Sequence, residues 1–408
     1  MAPTLGPVPR PFSVPRNLRL LNALAFFSQF NAVIAIWVVY LTDYRDLTLA
    51  QVGLMEGLFW AVKLVLEIPS GAFADRYGRR LANIVGVTIE GSGVVVFALA
   101  GEFWLLVLSY VLWSGGMAFR SGNDDAYLYD TLAADERTKE YGDRHGVMRA
   151  LGIVAFSISG VIGGVVAAVF DLQVGILTGA ATYAVSGVVI AFMQEPPRMM
   201  TIMGTPGSVG DTLATAWRAV RADPALRWII ALEVALAASF PAHFLLAQPF
   251  LERHDVPLAL FGVLEVPTRL AGAAALLLSA RWARRVGLGR GLLGAIVLPV
   301  VGLVLLSSLD HVWAFAGFAL IQVGTGLAFP VISAYVNART ESHVRATILS
   351  ISPLGVSLSY AVLGPVVGVA GASSLQAAFG LMALLIGVTS GAVFMAWRAA
   401  DRRAPVAV

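Results

Sequence analysis

Twelve apolar runs, each long enough to cross a lipid bilayer, constrain what this chain can fold into. A helix needs about 20 mostly apolar residues to span the hydrocarbon core. Of the 408 residues, 58% are hydrophobic and 13% are charged, about half the charged fraction of a soluble domain. The sequence therefore predicts an all-α polytopic membrane protein. The predicted transmembrane helices are 18–41, 49–70, 81–100, 103–125, 147–169, 173–193, 228–250, 258–280, 288–307, 312–335, 346–369 and 374–397.

Basic residues predict which side of the membrane the termini occupy. An even number of spans places both termini on one side. Of the 28 Lys and Arg residues, only Arg45 and Arg253 fall in loops predicted on the other side. Three more, Lys63, Arg120 and Arg269, fall well inside spans, while Arg19, Arg149 and Arg290 lie within three residues of the predicted cytoplasmic end of a span and are counted with the cytoplasmic segments. Because short cytoplasmic loops are rich in Lys and Arg, we expect both termini to be cytoplasmic.

The longest connection between spans divides the chain into two halves of six helices. It contains a predicted amphipathic helix near Asp211–Arg221, which is polar enough to lie in the cytosol or on the headgroups. The predicted segments are a cytoplasmic tail 1–17, a first bundle 18–193, a cytoplasmic linker 194–227, a second bundle 228–397 and a cytoplasmic tail 398–408.

The two halves repeat each other in sequence. Val52-Gly53-Leu54-Met55-Glu56 opens the second span, and Phe261-Gly262-Val263-Leu264-Glu265 opens the eighth. Carrying this alignment forward places Gly78 opposite Gly287 and Asp75 opposite Arg284. The turn after the eighth span is thus a degenerate copy of the turn after the second.

A charged, glycine-containing turn joins the second and third spans. It is Gly71-Ala72-Phe73-Ala74-Asp75-Arg76-Tyr77-Gly78-Arg79-Arg80, in which the glycines permit close backbone approach and positive φ. The turn resembles the G-x-x-x-D-R-x-G-R-R signature of the major facilitator superfamily. With the two-half repeat, the resemblance covers nearly the whole chain. It implies two pseudo-symmetric six-helix bundles with a substrate site between them near the midplane.

The resemblance also implies which residues form the site. In this fold the spans numbered 1, 4, 7 and 10 line the central cavity, and their aromatic and polar stripes suggest a cavity for amphipathic or aromatic solutes. The candidate cavity residues are Asn22, Phe26, Gln29, Phe30, Trp37, Trp113, Arg120, Asp124, Phe240, Phe244, Gln248, Gln322 and Phe329. The candidate gating residues are Gly71, Asp75, Arg76, Gly78, Arg79, Arg80 and Asp130. Asp75 and Arg76 are expected to form a latch with the acids near the cytoplasmic end of the fourth span and to stabilise the outward-open state.

Charged residues within spans are functional candidates, because a charge at mid-bilayer is costly unless it is paired or solvated. Spacing of i, i+4 predicts ion pairs Lys63–Glu67, Glu265–Arg269 and Arg120–Asp124. An alternative pairs Lys63 with Glu90 and ties the second span to the third.

Three acids within spans, Glu56, Glu90 and Glu233, have no basic residue three or four positions away. They are therefore candidates for proton coupling. Glu233 is favoured, because it alone lies on a span expected to line the cavity.

The fifth and eleventh spans carry parts of the glycine and proline pattern of drug-exporting members. Ala155, Ser159, Gly160, Gly163 and Gly164 occupy the matching positions in the fifth span, and Gly364-Pro365-Val366-Val367-Gly368 is a cleaner copy in the eleventh. Packing of small residues also explains them. We expect a secondary active transporter of the inner membrane that works by alternating access, as a proton-coupled efflux antiporter for small organic, drug-like molecules.

Two alternatives stay open from sequence. One is uptake of a small anionic metabolite whose charge binds Arg120. The other is a receptor or lipid-moving protein on the same fold.

No enzyme signature is present. The chain has no glycine-rich phosphate loop with a lysine, its five histidines lack metal-ligand spacing, and cysteine is absent. We therefore expect no cofactor and no metal. The expected partners are a small-molecule substrate, protons and the lipid bilayer, without nucleic acid, and the expected state is a monomer.

Overall fold

The fold of the chain is described by a computed structural model, which covers residues 12–196, 217–340 and 342–403. The described residues contain twelve helices long and apolar enough to cross a membrane, which confirms the predicted count. Most of the predicted helix Asp211–Arg221 lies outside the described residues. The helices are α1 Val14–Ala35, α2 Leu49–Tyr77, α3 Arg79–Leu99, α4 Phe103–Ala133, α5 Thr138–Val169, α6 Leu172–Phe192, α7 Pro224–Arg253, α8 Leu258–Val286, α9 Leu288–Ser308, α10 Val312–Arg339, α11 Pro353–Ser373 and α12 Leu375–Asp401.

Local sequence signals account for where α2 begins and ends. At its start, Thr48 and Gln51 form a reciprocal capping box that satisfies two free backbone N–H groups. The helix then continues through residues predicted as a turn and stops only at Gly78, whose φ is +104°. Gly287 ends α8 in the same way with φ +83°, so the predicted repeat holds in the backbone. A Cβ atom on Gly71 would meet nothing within 4 Å, so close approach does not explain that glycine.

Three helices are interrupted, which the apolar runs did not predict. In α1 the α-helix Val14–Gln29 gives way to a 3-10 turn, Ala32–Ala35. In α4 the break follows Arg120, and Gly122 lies there in the left-handed region at φ +66°. In α7 the α-helix ends at Ala237 and resumes at Phe240. Pro241 lies in the first turn of the second segment.

The two halves meet where α2 crosses α11. Because successive helices alternate in direction, the molecule has a terminal face, where α1 begins and α12 ends, and an opposite face. The crossing lies near the opposite face. A Cβ on Gly53 would lie 2.5 Å from the carbonyl oxygen of Gly364, and one on Gly57 would lie 2.8 Å from the ring of Pro365. The Gly-Pro pattern of the eleventh span therefore packs against the glycines of α2.

A second crossing joins α5 to α8, also near the opposite face. The backbone of Gly160 touches Gly262, and a Cβ on Gly164 would lie 2.9 Å from the carbonyl oxygen of Leu258. Of the small residues in the antiporter pattern, Gly160 and Gly164 thus serve close packing between the halves at this end of the molecule, while Gly163 packs against Ala32 of α1 in the same half.

Candidate functional site: a central cavity between the two halves

A cavity of about 880 Å³ lies between the halves. This volume is within the range of sites for drug-sized ligands. The cavity reaches the terminal face at Asp125 and Arg149, whereas the two glycine crossings close the opposite end. A smaller adjoining cavity of about 330 Å³ shares Trp37 and Phe244 with it. The predicted residues that line the main cavity are Gln29, Trp37, Trp113, Arg120, Asp124, Phe240, Phe244, Gln322 and Phe329.

Three other candidate cavity residues, and the favoured proton-coupling acid Glu233, do not line either cavity in this conformation. Asn22, Phe26 and Phe30 lie on α1 outside the lining of both cavities, and the ring of Phe26 packs against Phe27 and Phe30. Glu233 lies in the terminal half of α7, is 9% exposed and is also absent from both linings. The remaining candidate, Gln248, lines only the smaller cavity.

Sequence reasoning missed the contribution of α2, α5, α8 and α11. Glu56 and Trp60 of α2, Phe156 of α5 and Arg269 of α8 line the main cavity, and Tyr360 of α11 lines the smaller one. The i, i+4 spacing of Glu56 and Trp60 marks one face of α2, but only packing shows that this face points inward.

In the N-terminal half, Arg120 is held by two carboxylates. Its Nη1 lies 2.9 Å from Glu90 Oε2, and its Nη2 lies 3.4 Å from Asp124 Oδ2. Asn83 donates a further hydrogen bond to Asp124 over 3.0 Å. The alternative that Lys63 pairs with Glu90 is wrong, because Glu90 bonds Arg120 and ties α3 to α4.

The predicted pair on α2 has the expected geometry. Lys63 Nζ lies 3.2 Å from Glu67 Oε2. Glu67 also accepts a 2.6 Å hydrogen bond from the hydroxyl of Ser121 on α4. Lys63, which lines the cavity, is therefore neutralised within its own helix.

In the C-terminal half, Glu265 is shared by two basic groups. Arg269 Nη2 lies 3.4 Å from its carboxylate, as i, i+4 spacing predicted, and His243 Nε2 lies 3.3 Å from both carboxylate oxygens. The guanidinium of Arg269 also lies 4.3 Å from the ring centroid of Phe156 on α5. This cation–π contact joins the halves. Sequence reasoning gave His243 no role, because its partner is on another helix.

Aromatic rings surround Glu56 near the closed end of the cavity. The carboxylate, 5% exposed, accepts a 2.6 Å hydrogen bond from the indole N–H of Trp60. The ring of Trp60 stacks on Tyr360 of α11 with centroids 4.4 Å apart. Tyr360 in turn contacts Phe244 edge to face at 6.0 Å. The group brings α2, α7 and α11 together.

Gln248 has a structural role that its predicted place in the cavity did not suggest. Its side-chain oxygen accepts hydrogen bonds from the backbone N–H groups of Val38 and Val39, at 2.9 and 3.3 Å, and its amide donates to the carbonyl of Ile34 over 2.9 Å. Ile34 lies in the 3-10 turn of α1, and Val38 and Val39 lie in the short helical segment Trp37–Val39 that follows it. A side chain of the second half thus satisfies the interrupted helix of the first.

The gating segment contacts α4 through a different arginine from the one predicted. Arg79 donates a hydrogen bond to Asp130 over 2.5 Å. The side chain of Asp75 is 77% exposed and 4.0 Å from Arg79, and the guanidinium of Arg76 lies over the ring of Tyr77. In this conformation Asp75 and Arg76 form no ion pair with the acids of α4 among the described residues. The latch predicted for the outward-open state stays a prediction.

Glu195, just after α6, caps the N-terminus of α3. Its two carboxylate oxygens accept hydrogen bonds from the backbone N–H groups of Arg79 and Arg80, both at 2.8 Å. Arg80 reaches back to the carbonyl oxygens of Ile190 and Ala191 at the end of α6. An acid at a helix N-terminus is favourable. The spacing of residues within the turn carries no signal for Glu195, which is more than a hundred residues away in the sequence.

One protein-family model matches most of the chain. The sequence model of the Major Facilitator Superfamily matches residues 19–351. Multidrug resistance protein MdtH of Yersinia pestis is 23% identical over 83% of this chain and 81% of its own length. YxaM of Bacillus subtilis, described as an uncharacterized MFS-type transporter, is 28% identical over 26% of each chain. Inner membrane transport protein YajR of Escherichia coli is 27% identical over 29% of this chain and 24% of its own. The matches thus span about a quarter of YxaM and of YajR.

Solved structures share the fold over nearly the whole chain. The nucleoside transporter NupG superposes with a TM-score of 0.76 at 14% identity, covering 94% of this chain and 99% of its own. A bacterial homologue of the human lysosomal transporter Spinster superposes with a TM-score of 0.76 at 17% identity, covering 96% of this chain and 98% of its own. Likeness at this level of identity shows the fold alone.

Proposed function

The chain belongs to the major facilitator superfamily, and on that premise we propose that it is a secondary active transporter that exports small organic molecules in exchange for protons. It is a multi-pass cell-membrane protein, and the proposal places its terminal face in the cytoplasm. The observation that carries the proposal is the cavity of about 880 Å³ between the halves, which reaches the terminal face and is closed at the other end. A substrate entering from the terminal face would leave after the two glycine crossings separate.

Export is supported by the chemistry of the lining and by one relative. Aromatic rings such as Trp37, Trp113 and Phe244 suit apolar and aromatic solutes. The printed name of MdtH, which matches along most of the chain, is multidrug resistance protein. Uptake of an anion is less well supported, because both amino groups of the Arg120 guanidinium already face carboxylates.

Proton exchange is assigned to Glu56 among the three candidate acids. Glu90 is held by Arg120, and Glu233 does not line the cavity. Glu56 lines the cavity and has no salt bridge among the described residues. Its carboxylate is therefore reachable from the terminal face and available to bind a proton.

Transport in proteoliposomes tests the proposal. With an imposed pH gradient, candidate drugs are expected to drive proton flux in the direction opposite to their own, measured with a pH-sensitive dye and a labelled substrate. Glu56→Gln is expected to abolish accumulation driven by the pH gradient, while Glu90→Gln and Glu233→Gln retain it. Substrate and proton movement in the same direction would contradict export. Substrate binding without any flux would favour a receptor.

A further inference from the structure

The charges that line the main cavity are paired, with one exception. Lys63 pairs with Glu67, Arg149 with Asp125, and Arg269 with Glu265, at 3.2, 3.3 and 3.4 Å. Arg120 is shared by two acids. Among the described residues, Glu56 is the lining acid that has no cationic group within 4.0 Å. When the charged lining residues are counted together with their ion-pair partners, carboxylates therefore outnumber Lys and Arg side chains.

The surroundings of Glu56 do not complete its hydrogen bonding. An ionised carboxylate has about four acceptor sites, and Glu56 receives a hydrogen bond from Trp60 alone among the described residues. A buried carboxylate without a partner is costly, and pairing with a cation offsets that cost. The site thus has acceptor capacity for a cationic group of a ligand.

Aromatic rings provide the second half of such a site. Trp60 stacks on Tyr360 beside the carboxylate, and Phe59 packs edge to face on Tyr110 with centroids 6.0 Å apart. The faces of aromatic rings attract cations, above all quaternary ammonium groups. Glu56, Phe59, Trp60 and Tyr110 all line the main cavity.

We propose that Glu56 and the ring of Trp60 bind the cationic centre of a monovalent organic cation, so that the transported substrates are lipophilic amines, quaternary ammonium or phosphonium compounds. The proposal rests on the proposed transport function and adds the chemical class of the substrate. The carboxylate supplies the charge and the rings supply contact area, while the apolar remainder of the ligand occupies the lining toward the terminal face.

The site also lies at the crossing that must open during transport. Glu56 is on α2, between Gly53 and Gly57. A Cβ atom added to Gly364 of α11 would be 3.7 Å from the Cβ atom of Glu56. Trp60 contacts Tyr360 of α11. A cation bound at Glu56 therefore lies against both halves, where its binding can differ between the two conformations.

A pair of ligands with equal shape and opposite charge tests the proposal without transport. Labelled tetraphenylphosphonium and, in separate samples, labelled tetraphenylborate are measured for equilibrium binding to the detergent-solubilised protein. We expect tetraphenylphosphonium to bind and tetraphenylborate to bind much more weakly. Absent tetraphenylphosphonium binding, or equally tight binding of tetraphenylborate, would overturn the proposal.

A matched pair of variants locates the charge. Glu56→Gln removes it with little change of shape and is expected to weaken tetraphenylphosphonium binding roughly tenfold or more, as for loss of a buried charge pair. Glu102→Gln removes the same charge from an exposed position before α4 and is expected to bind as the unmodified protein does. Unchanged binding by Glu56→Gln would show that Glu56 only holds Trp60.

Two further readouts keep the result decisive. If Glu56→Gln does not fold, Glu56→Asp retains the charge on a shorter chain and is expected to bind more weakly than the unmodified protein; equal binding would count against direct contact. Binding in detergent does not depend on flux. Proteoliposomes that transport nothing would contradict the transport function and leave the cation site standing, whereas transport of neutral or anionic compounds alone would contradict the cation site.

Discussion

At the scale of single residues, burial separates Arg120 from the other arginines of the cavity. The side chain of Arg120 is 9% exposed and lies between Glu90 and Asp124. The side chain of Arg149 pairs with Asp125 at a similar distance but is 68% exposed. Ion pairs in water contribute little, whereas removing one partner of a buried pair leaves the other charge without compensation.

Replacement of these two arginines is therefore expected to have different consequences. Arg120→Gln should lower the free energy of unfolding by about 3–5 kcal/mol, because it leaves the buried Glu90 and the partly buried Asp124 without their cation. Arg149→Gln should change it by about 1 kcal/mol or less. Denaturation in detergent, followed by tryptophan fluorescence, measures both. Equal decreases in the free energy of unfolding for the two variants would contradict a structural role for Arg120 in holding α3 against α4.

At the scale of helices, close backbone contact closes the opposite face. The α2–α11 crossing leaves no room for a side chain at Gly53 or Gly57. The segment Trp37–Val39, which follows the interrupted α1, depends on Gln248 of α7 for hydrogen bonds at Val38 and Val39. Both features join the halves at the same end of the molecule. We expect the α2–α11 contacts and the Gln248 hydrogen bonds to be present in this conformation and to break when the opposite face opens.

Gly57→Val tests the crossing. Its added carbons would meet Pro365 and the carbonyl of Ala361, and overpacking of this kind costs about 1–3 kcal/mol in the closed conformation. The population closed at the opposite face should fall roughly tenfold, and transport should slow with it while insertion is retained. Gly391→Val on α12, where a Cβ meets nothing within 4 Å, is the control. Normal transport by Gly57→Val would show that the α2–α11 crossing accommodates the larger side chain without destabilising the closed conformation.

At the scale of the whole molecule, the conformation is open toward the terminal face. In this conformation the side chain of Asp75 is largely exposed, and its ion pair with Arg79 is long, at 4.0 Å. A residue can bias the equilibrium between two conformations only if its contacts differ between them. We expect Asp75 to gain contacts when the terminal face closes, and so to stabilise the alternative conformation.

Asp75→Asn is therefore expected to increase the population open at the terminal face and to slow transport. The chain has no cysteine, so Ala273→Cys, which lines the cavity, can be labelled without background. A membrane-impermeant maleimide added at the terminal face should react faster in the Asp75→Asn background. The control is Asp143→Asn, an exposed acid of α5. Identical labelling rates in the two backgrounds would rule out a role for Asp75 in the equilibrium.

The sequence alone determined the features that depend on local spacing and composition. Apolar runs predicted twelve helices, the turn before Gly78 and the repeat predicted the family, and i, i+4 spacing predicted Lys63–Glu67 and Glu265–Arg269. These predictions hold because residues one turn apart on a helix are neighbours whatever the rest of the chain does. The family resemblance, which assigned α1, α4, α7 and α10 to the cavity, together with the aromatic and polar stripes on these helices, predicted nine lining residues.

Only the tertiary structure decided which helix faces meet. Arg120 pairs with Glu90, 30 residues away, and Gln248 bonds Val38, 210 residues away. The same packing leaves Glu233 outside the cavity and turns Glu56 into it. The rotation of each helix about its axis is set by the side chains of its neighbours, through ridges and grooves. Because that rotation decides whether a carboxylate faces a cation, a cavity or another helix, hydrophobic pattern and spacing could name the candidate acids but could not choose among them.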